Sequence, residues 1–404
     1  MTPVIQKPRW LVVMPLMPRA DQASGDRRLV AMLRALAADC ALDAVVLGPP
    51  DDANDAYQRH LESLGVTFLG YGITAAVRAL IGRAFDGVFF EFHFAAARLE
   101  RIVRSLQPNA TIIVDSVDVH YLREQEAARL GKLDCAVPAL TKVTELGVYS
   151  RADVTIVVSE PERQILEAEG VTRCVIVPNI VELVARTIRP RDPKVLFVGG
   201  FDHAPNAAAV HWFHDEIWPH VRRDLPDAEW IIAGSKVPPD VLAMHGRDGV
   251  NVVGFVASTG PWLELTQVSV APLTFGGGMK GKVSEALAAG VPVVTTRWGA
   301  QGFEEGQGTA FLQAEEPLEF ARAVVSLLRD EGLCARIGEA GRVLAQRLCS
   351  ADAAESALHE LVRLTARSKR ASSMPRRILA LADLAARRGF ARLLRRGRGA
   401  VASR

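Results

Sequence analysis

The strongest constraint on this chain is an alternation, repeated many times, between short continuously apolar runs rich in β-branched residues and longer stretches with helical periodicity. The runs WLVVMP (10–15), DAVVLG (43–48), DGVFFEF (86–92), ATIIVD (110–115), DVTIVVS (153–159) and RCVIVPN (173–179) are separated by segments long enough for a helix. A strand that is apolar at every position must be covered on both faces, so these runs predict a parallel sheet with helical crossovers. The pattern then restarts with KVLFVGG (194–200), EWIIAG (229–234), NVVGF (251–255), VSVAPL (268–273) and PVVTT (292–296). Between the two series, 181–193 holds two prolines, three arginines and little periodicity, and reads as a linker. The expected fold is α/β, with a doubly wound domain at 1–180 and a second at 194–349. Their cleft would bind ligands at the carboxyl ends of the strands.

Composition narrows the function. With 49% apolar and 23% charged residues the chain is ordinary globular material. The five cysteines are scattered, with no Cys-x-x-Cys pair, which predicts neither a disulfide framework nor a zinc site and suits a reducing cytoplasm. The apolar stretch near the start is short and broken by Pro15, unlike a signal peptide, and no window approaches a membrane span. Charge is unevenly placed: from Arg363 to Arg404 thirteen Lys/Arg face one acid, Asp383, a tail of +12. Since the whole chain carries +2, the remainder carries −10. An acidic body argues against nucleic-acid binding, while the tail at 369–404 fits an anionic membrane surface or a disordered solubilising segment.

The segment FGGGMKGKVSEALAAGVPVVTT (275–296) concentrates the chemistry. Gly276, Gly277 and Gly278 follow a strand, permit positive φ and let a ligand approach the backbone. The helix that follows offers unpaired N–H groups and a partial positive charge, to which Lys280 and Lys282 add two full charges, a combination suited to a diphosphate. Glu285, three residues beyond Lys282, is placed to accept two ribose hydroxyls. A glycine-rich turn with solvated lysines is the plainer alternative.

GGGMKGKVSEALAAGVPVVTTRWGAQGF resembles the donor-site segment of retaining GT-B glycosyltransferases of group 1, family 4. VLFVGGFDHAPNAAAVHWF (195–213), ADVTIVVSEPERQIL (152–166) with VPN (177–179), TIIVDSVDVHYLREQE (111–126) and MPRADQASGDRR (17–28) resemble further segments of that family, in its order. The resemblance implies two Rossmann-like domains and transfer of a sugar from a nucleotide-diphospho-sugar to a glycan or lipid-linked acceptor, in the cytoplasm or at the inner face of the membrane. Glu285 matches the family's ribose-binding glutamate, whereas the earlier glutamate of that motif falls on Gly277 and is absent. The loop at Gly199 and Gly200 would face the donor, but the family's phosphate-binding basic pair falls on Gly200 and Pro205, so Lys280, with Lys282, is expected to supply the charge. The Gly25 backbone would face the phosphates across the cleft, joined by Arg28.

On the amino side, Asp118 and His120 follow the strand at 110–115, and the resemblance implies that His120 touches the transferred sugar. His93 is a rival, and Glu91 and His93 are candidate acceptor contacts. No Asp-x-Asp follows a strand as a metal clamp, so neither a metal nor a cofactor is expected beyond the nucleotide sugar. Retention would leave the departing phosphate to take the acceptor's proton; inversion would require a base such as Asp118 or His120. A GT-B nucleotide-sugar 2-epimerase and a non-catalytic glycan-binding or assembly subunit remain alternatives. The segment 350–368 is expected to be a helix returning to the amino domain.

Overall fold

The computed structural model describes residues 7–131, 133–181 and 192–367. The interior of the linker expected at 181–193 and the basic tail at 369–404 lie outside the described residues.

The amino domain runs β1 (Arg9–Met14), α1 (Ser24–Asp39), β2 (Ala41–Val46), α2 (Asp55–Ser63), β3 (Val66–Tyr71), α3 (Gly72–Gly82), β4 (Gly87–Glu91), α4 (His93–Leu106), β5 (Thr111–Asp115), α5 (His120–Arg129), α6 (Ala136–Arg151), β6 (Val154–Val157), α7 (Glu160–Ala168) and β7 (Cys174–Ile176). Its strands form one parallel sheet in the order β3-β2-β1-β4-β5-β6-β7. The carboxyl domain runs β8 (Lys194–Val198), α8 (Ala204–Trp212), α9 (Trp218–Asp224), β9 (Glu229–Ala233), α10 (Pro239–Leu242), β10 (Val250–Gly254), α11 (Gly260–Leu265), β11 (Val268–Ala271), α12 (Gly281–Ala288), β12 (Val293–Thr295), β13 (Leu312–Gln313), α13 (Pro317–Arg329) and α14 (Glu331–Cys349). Its parallel sheet has the order β10-β9-β8-β11-β12-β13. The strand order reverses beside β1 in one sheet and β8 in the other, which opens a crevice at each carboxyl edge.

Burial follows the pleat. Along β1, Leu11 and Val13 join the core under one face of the sheet, and Trp10 and Val12 join the core under the other. Trp10 also explains Gly87 on the neighbouring strand, where a Cβ would lie 3.0 Å from the indole.

The strand β3 and helix α3 are absent from the sequence-based reading. β3 is an edge strand in which Thr67 is exposed and the residues after it are only half-buried, so Thr67 and Gly70 interrupt the apolar run that marks the central strands.

After α14 the chain crosses back as α15 (Ala351–Arg367). Ser350 Oγ accepts the Ala353 amide at 3.3 Å to cap its start, and Ala354, Leu358 and Leu361 fall on one helical face that is buried among α1 and the amino sheet. His359 on the same helix hydrogen-bonds Asp39 at the end of α1. Among the described residues no helix is long and apolar enough to cross a membrane.

Candidate active site

The loop after β11 turns into α12 through Gly276 (φ 150°) and Gly278 (φ 69°), positions at which a side chain would be strained. Gly281 is required for a different reason: a Cβ there would overlap Ser24 of the amino domain. The starts of α12 and α1 therefore abut across the cleft. Each helix leaves its first N–H groups without intrahelical acceptors and carries a partial positive charge. Gly25 lies in that first turn of α1, against Val117. Two helix N-termini from two domains thus converge on one point, a strong electrostatic preference for an anion.

Both lysines are close by. Lys280 is buried, and its ammonium donates to the Gly277 carbonyl at 2.7 Å, to the Gly278 carbonyl and to Gln301 Oε1 at 3.0 Å. Burial pulls its pKa down to about 8, despite the opposing charges of Asp118 and Glu162. Lys282 donates to Asn206 Oδ1 and lies 4.4 Å above the Phe197 ring, and burial with repulsion from Lys280 lowers it to about 7. Asn206 also donates to the Gly200 carbonyl at 2.7 Å, which ties the Gly199–Gly200 loop to Lys282. Gly199 is packed too tightly against Asn206 to carry a Cβ, and Gly200 faces Ser235 and the Gln22 carbonyl of the amino domain.

Glu285 lies one turn into α12. Its Oε2 accepts Thr259 Oγ1 at 2.6 Å, and its Oε1 is paired with Arg27 from the opposite domain. The next arginine corrects the sequence-based expectation. Arg28 is 1% exposed, makes two hydrogen bonds to Asp115 at 2.6 and 3.1 Å, and donates to the Val177 and Pro178 carbonyls. It braces the amino core and is shielded from the cleft by its burial; the guanidinium in the cleft belongs to Arg27.

The amino wall is built on two strained corners. Phe92, after β4, has φ 67° and ψ 148°, and Val117, after β5, has φ 62°. Such conformations are nearly confined to glycine and cost about 1–3 kcal/mol each, a pattern associated with functional sites. Beyond Val117, Asp118 packs against the donor loop: a Cβ at Gly277 would lie 3.4 Å from Asp118 Oδ2 and 3.2 Å from Arg123 Cβ. Asp118 also pairs with Arg123 at 2.5 Å and with His120 Nδ1 at 2.9 Å. Burial raises the Asp118 pKa, but the His120 hydrogen bond and the charges of His120, Arg123 and Lys280 outweigh it and hold the carboxyl well below its usual range. Burial opposes charge on His120 too, yet the Asp118 partner raises its pKa overall, so the imidazolium is favoured.

Glu145 on α6 sets the orientation of His120. It is fully buried and accepts the His120 and Tyr121 amides at 3.0 Å each and the Tyr149 hydroxyl at 2.8 Å, capping α5 from a neighbouring helix. Nitrogen and oxygen donors of His93, His120 and Glu145 lie within 4.8 Å of one another. Glu145 Oε1 nevertheless already takes two hydrogen bonds and His120 Nδ1 already faces Asp118, so the cluster is an orienting network.

Glu91 and His93, expected on the acceptor side, are instead 4% and 6% exposed. Burial, with Asp26 and Asp115 nearby, pushes Glu91 well above the carboxylate range, and burial together with His120 lowers His93 to about 4. The corner at Phe92 turns both side chains inward. A further buried carboxyl, Glu162 on α7, stands behind Gly278. One of its oxygens accepts the Val158 amide at 3.1 Å, and the other has no hydrogen-bond partner among the described residues.

Two parallel-sheet domains facing a cleft, with an anion-seeking helix start on the second, define the GT-B fold. Residues 192–330 match the family model "Glycosyl transferases group 1", so the carboxyl domain is of the group 1 glycosyl transferase kind. No curated protein matches this chain. Among solved structures, sucrose-phosphate synthase from Thermosynechococcus elongatus aligns with TM-score 0.69 at 16% identity, over 89% of this chain and 100% of the other. HepE from Anabaena, in complex with UDP, aligns with TM-score 0.67 at 12% identity, over 88% and 100%. A TarM mutant from S. aureus, in complex with fondaparinux, α-GlcNAc-glycerol and UDP, aligns with TM-score 0.59 at 15% identity. That match covers 71% of this chain, which spans only 58% of the TarM length.

Proposed function

We propose that this protein is a glycosyltransferase that moves a sugar from a nucleotide-diphospho-sugar to a glycan or lipid-linked acceptor, with retention and without a metal. The observation that carries the reading is the convergence of the α1 and α12 starts with Lys280 and Lys282, beside a carboxylate, Glu285, set to receive hydroxyls. Cleavage of the donor leaves negative charge on the departing diphosphate, and helix dipoles with two ammonium groups stabilise that charge where it develops. Glu285 grips the ribose once Arg27 gives way. His120, held by Glu145 and Asp118, orients the transferred sugar, and the departing phosphate oxygen takes the acceptor's proton.

HepE and TarM were solved with UDP, which makes uridine donors the first to test. In a panel of nucleotide sugars, the expected result is a thermal shift with one nucleotide class, followed by transfer to a glycan acceptor seen by mass detection. A panel in which no nucleotide shifts the melting temperature refutes the reading. Turnover of the donor to an isomer with no acceptor present would assign it to epimerases. The tail at 369–404 is proposed to hold the protein at the inner face of the cytoplasmic membrane, and deleting it should abolish binding to anionic vesicles.

A further inference from the structure

The corner after β4 has a second consequence. By turning Glu91 and His93 inward, it sends Phe92 and Phe94 outward, and Phe94 is 41% exposed. The two rings are stacked with centroids 5.0 Å apart and planes 15° from parallel. His120 meets both edge-on, at 5.5 and 6.0 Å. The same imidazole contacts Asp118, whose carboxylate packs on the donor loop at Gly277. An aromatic pair therefore stands one side chain away from the point where the donor loop meets the amino domain.

We infer that Phe92 and Phe94 form the acceptor subsite, a platform on which the apolar face of an acceptor sugar ring stacks while its hydroxyls reach the polar rim made by His120 and Arg123, both held by the buried Asp118. The inference rests on the glycosyl-transfer reading above. A sugar ring is amphiphilic, with C–H bonds on its faces and hydroxyls around its edge, and this surface is amphiphilic in the same sense: a flat aromatic patch bordered by the His120 and Arg123 donors. The backbone supports a binding role over a packing role. An exposed ring adds little to a core, and Phe92 occupies a conformation that glycine would adopt without strain. A purely structural corner has no need of phenylalanine there.

The test uses the full chain with UDP present and monosaccharide probes: methyl β-glucopyranoside, methyl α-mannopyranoside and N-acetylglucosamine. Saturation-transfer NMR is expected to show ring C–H signals of at least one probe with the native protein. Phe94→Ala should weaken that binding by about tenfold, as expected for loss of an aromatic contact, and Phe94→Trp should retain it. Phe92→Gly should melt no lower than the native protein yet lose the signal. Equal signals from native and Phe94→Ala protein, or none from the native protein while UDP is bound, overturn the subsite. Absence of a UDP thermal shift instead counts against the glycosyl-transfer reading itself, so the two failures are distinguishable.

Discussion

Donor binding should draw protons out of solution, because the two lysines that would meet the diphosphate are held near neutrality when the site is empty. Burial brings Lys282 to about 7 and Lys280 to about 8. An arriving diphosphate supplies the missing counter-charge and restores both toward the ordinary lysine value. Between pH 7 and roughly 10 the occupied site therefore holds more protons than the free site, and affinity falls as pH rises. With these two values, uptake grows from below about one proton at pH 7 toward about two at pH 9. Full restoration would weaken binding by up to about 500-fold between pH 7 and 9, a ceiling set by those uptake numbers. UDP-glucose is the suitable probe, since its diphosphate does not titrate in this window. Isothermal calorimetry in buffers of different ionisation heat reads the uptake directly. Lys282→Met should remove about one proton of it at pH 8. A dissociation constant that stays within about twofold from pH 7 to 9, or a heat independent of buffer, would refute the assignment of these lysines to the phosphates.

Three further outcomes are expected. Glu285→Ala should weaken UDP binding by about 10- to 100-fold, the loss expected for hydrogen bonds to a charged acceptor, and calorimetry that finds native affinity would remove it from the ribose site. Burial pushes Glu162 up to about 8, so the folded protein keeps a proton there that the unfolded chain releases near pH 4.5, and this group's contribution to stability declines as pH rises from about 5 through 8. Glu162→Gln imitates the protonated form, so its melting temperature relative to the native protein should climb across that interval; a flat difference would show that the carboxyl is ionised throughout. Glu145→Ala bares two amides and a hydroxyl at about 1–3 kcal/mol each and lets His120 drift, so denaturant melts should show a clear loss of stability while Glu145→Gln recovers part of it.

The central strands were legible because a run that is apolar at every position fits only a doubly covered sheet, whereas the half-exposed edge strand β3 carries no such signature. Lys280, Lys282 and Glu285 were legible for a local reason: they lie within six residues at one helix start. The amino wall was harder to read. Choosing between Arg27 and Arg28 depends on helix phase, and a usable signal existed, since Arg28, Met32 and Leu36 fall on the buried stripe of α1. What no local pattern shows is the partner, because Asp115 and Val177 reach Arg28 only through the folded sheet. Glu145 and Glu162 look like ordinary solvated acids on helices, and their burial depends on how α6 and α7 dock.

The Arg27–Glu285 bridge joins the two domains, so the carboxylate proposed to receive the ribose already holds a partner from the amino domain. On the proposed reading, admission of the donor would be a swap of partners, in which ribose hydroxyls displace a guanidinium and one of several contacts between the two domains is lost. The freed guanidinium would then be available to the incoming diphosphate without any change in the net charge of the cleft. Domain contact and ligand entry would thereby be joined through Arg27.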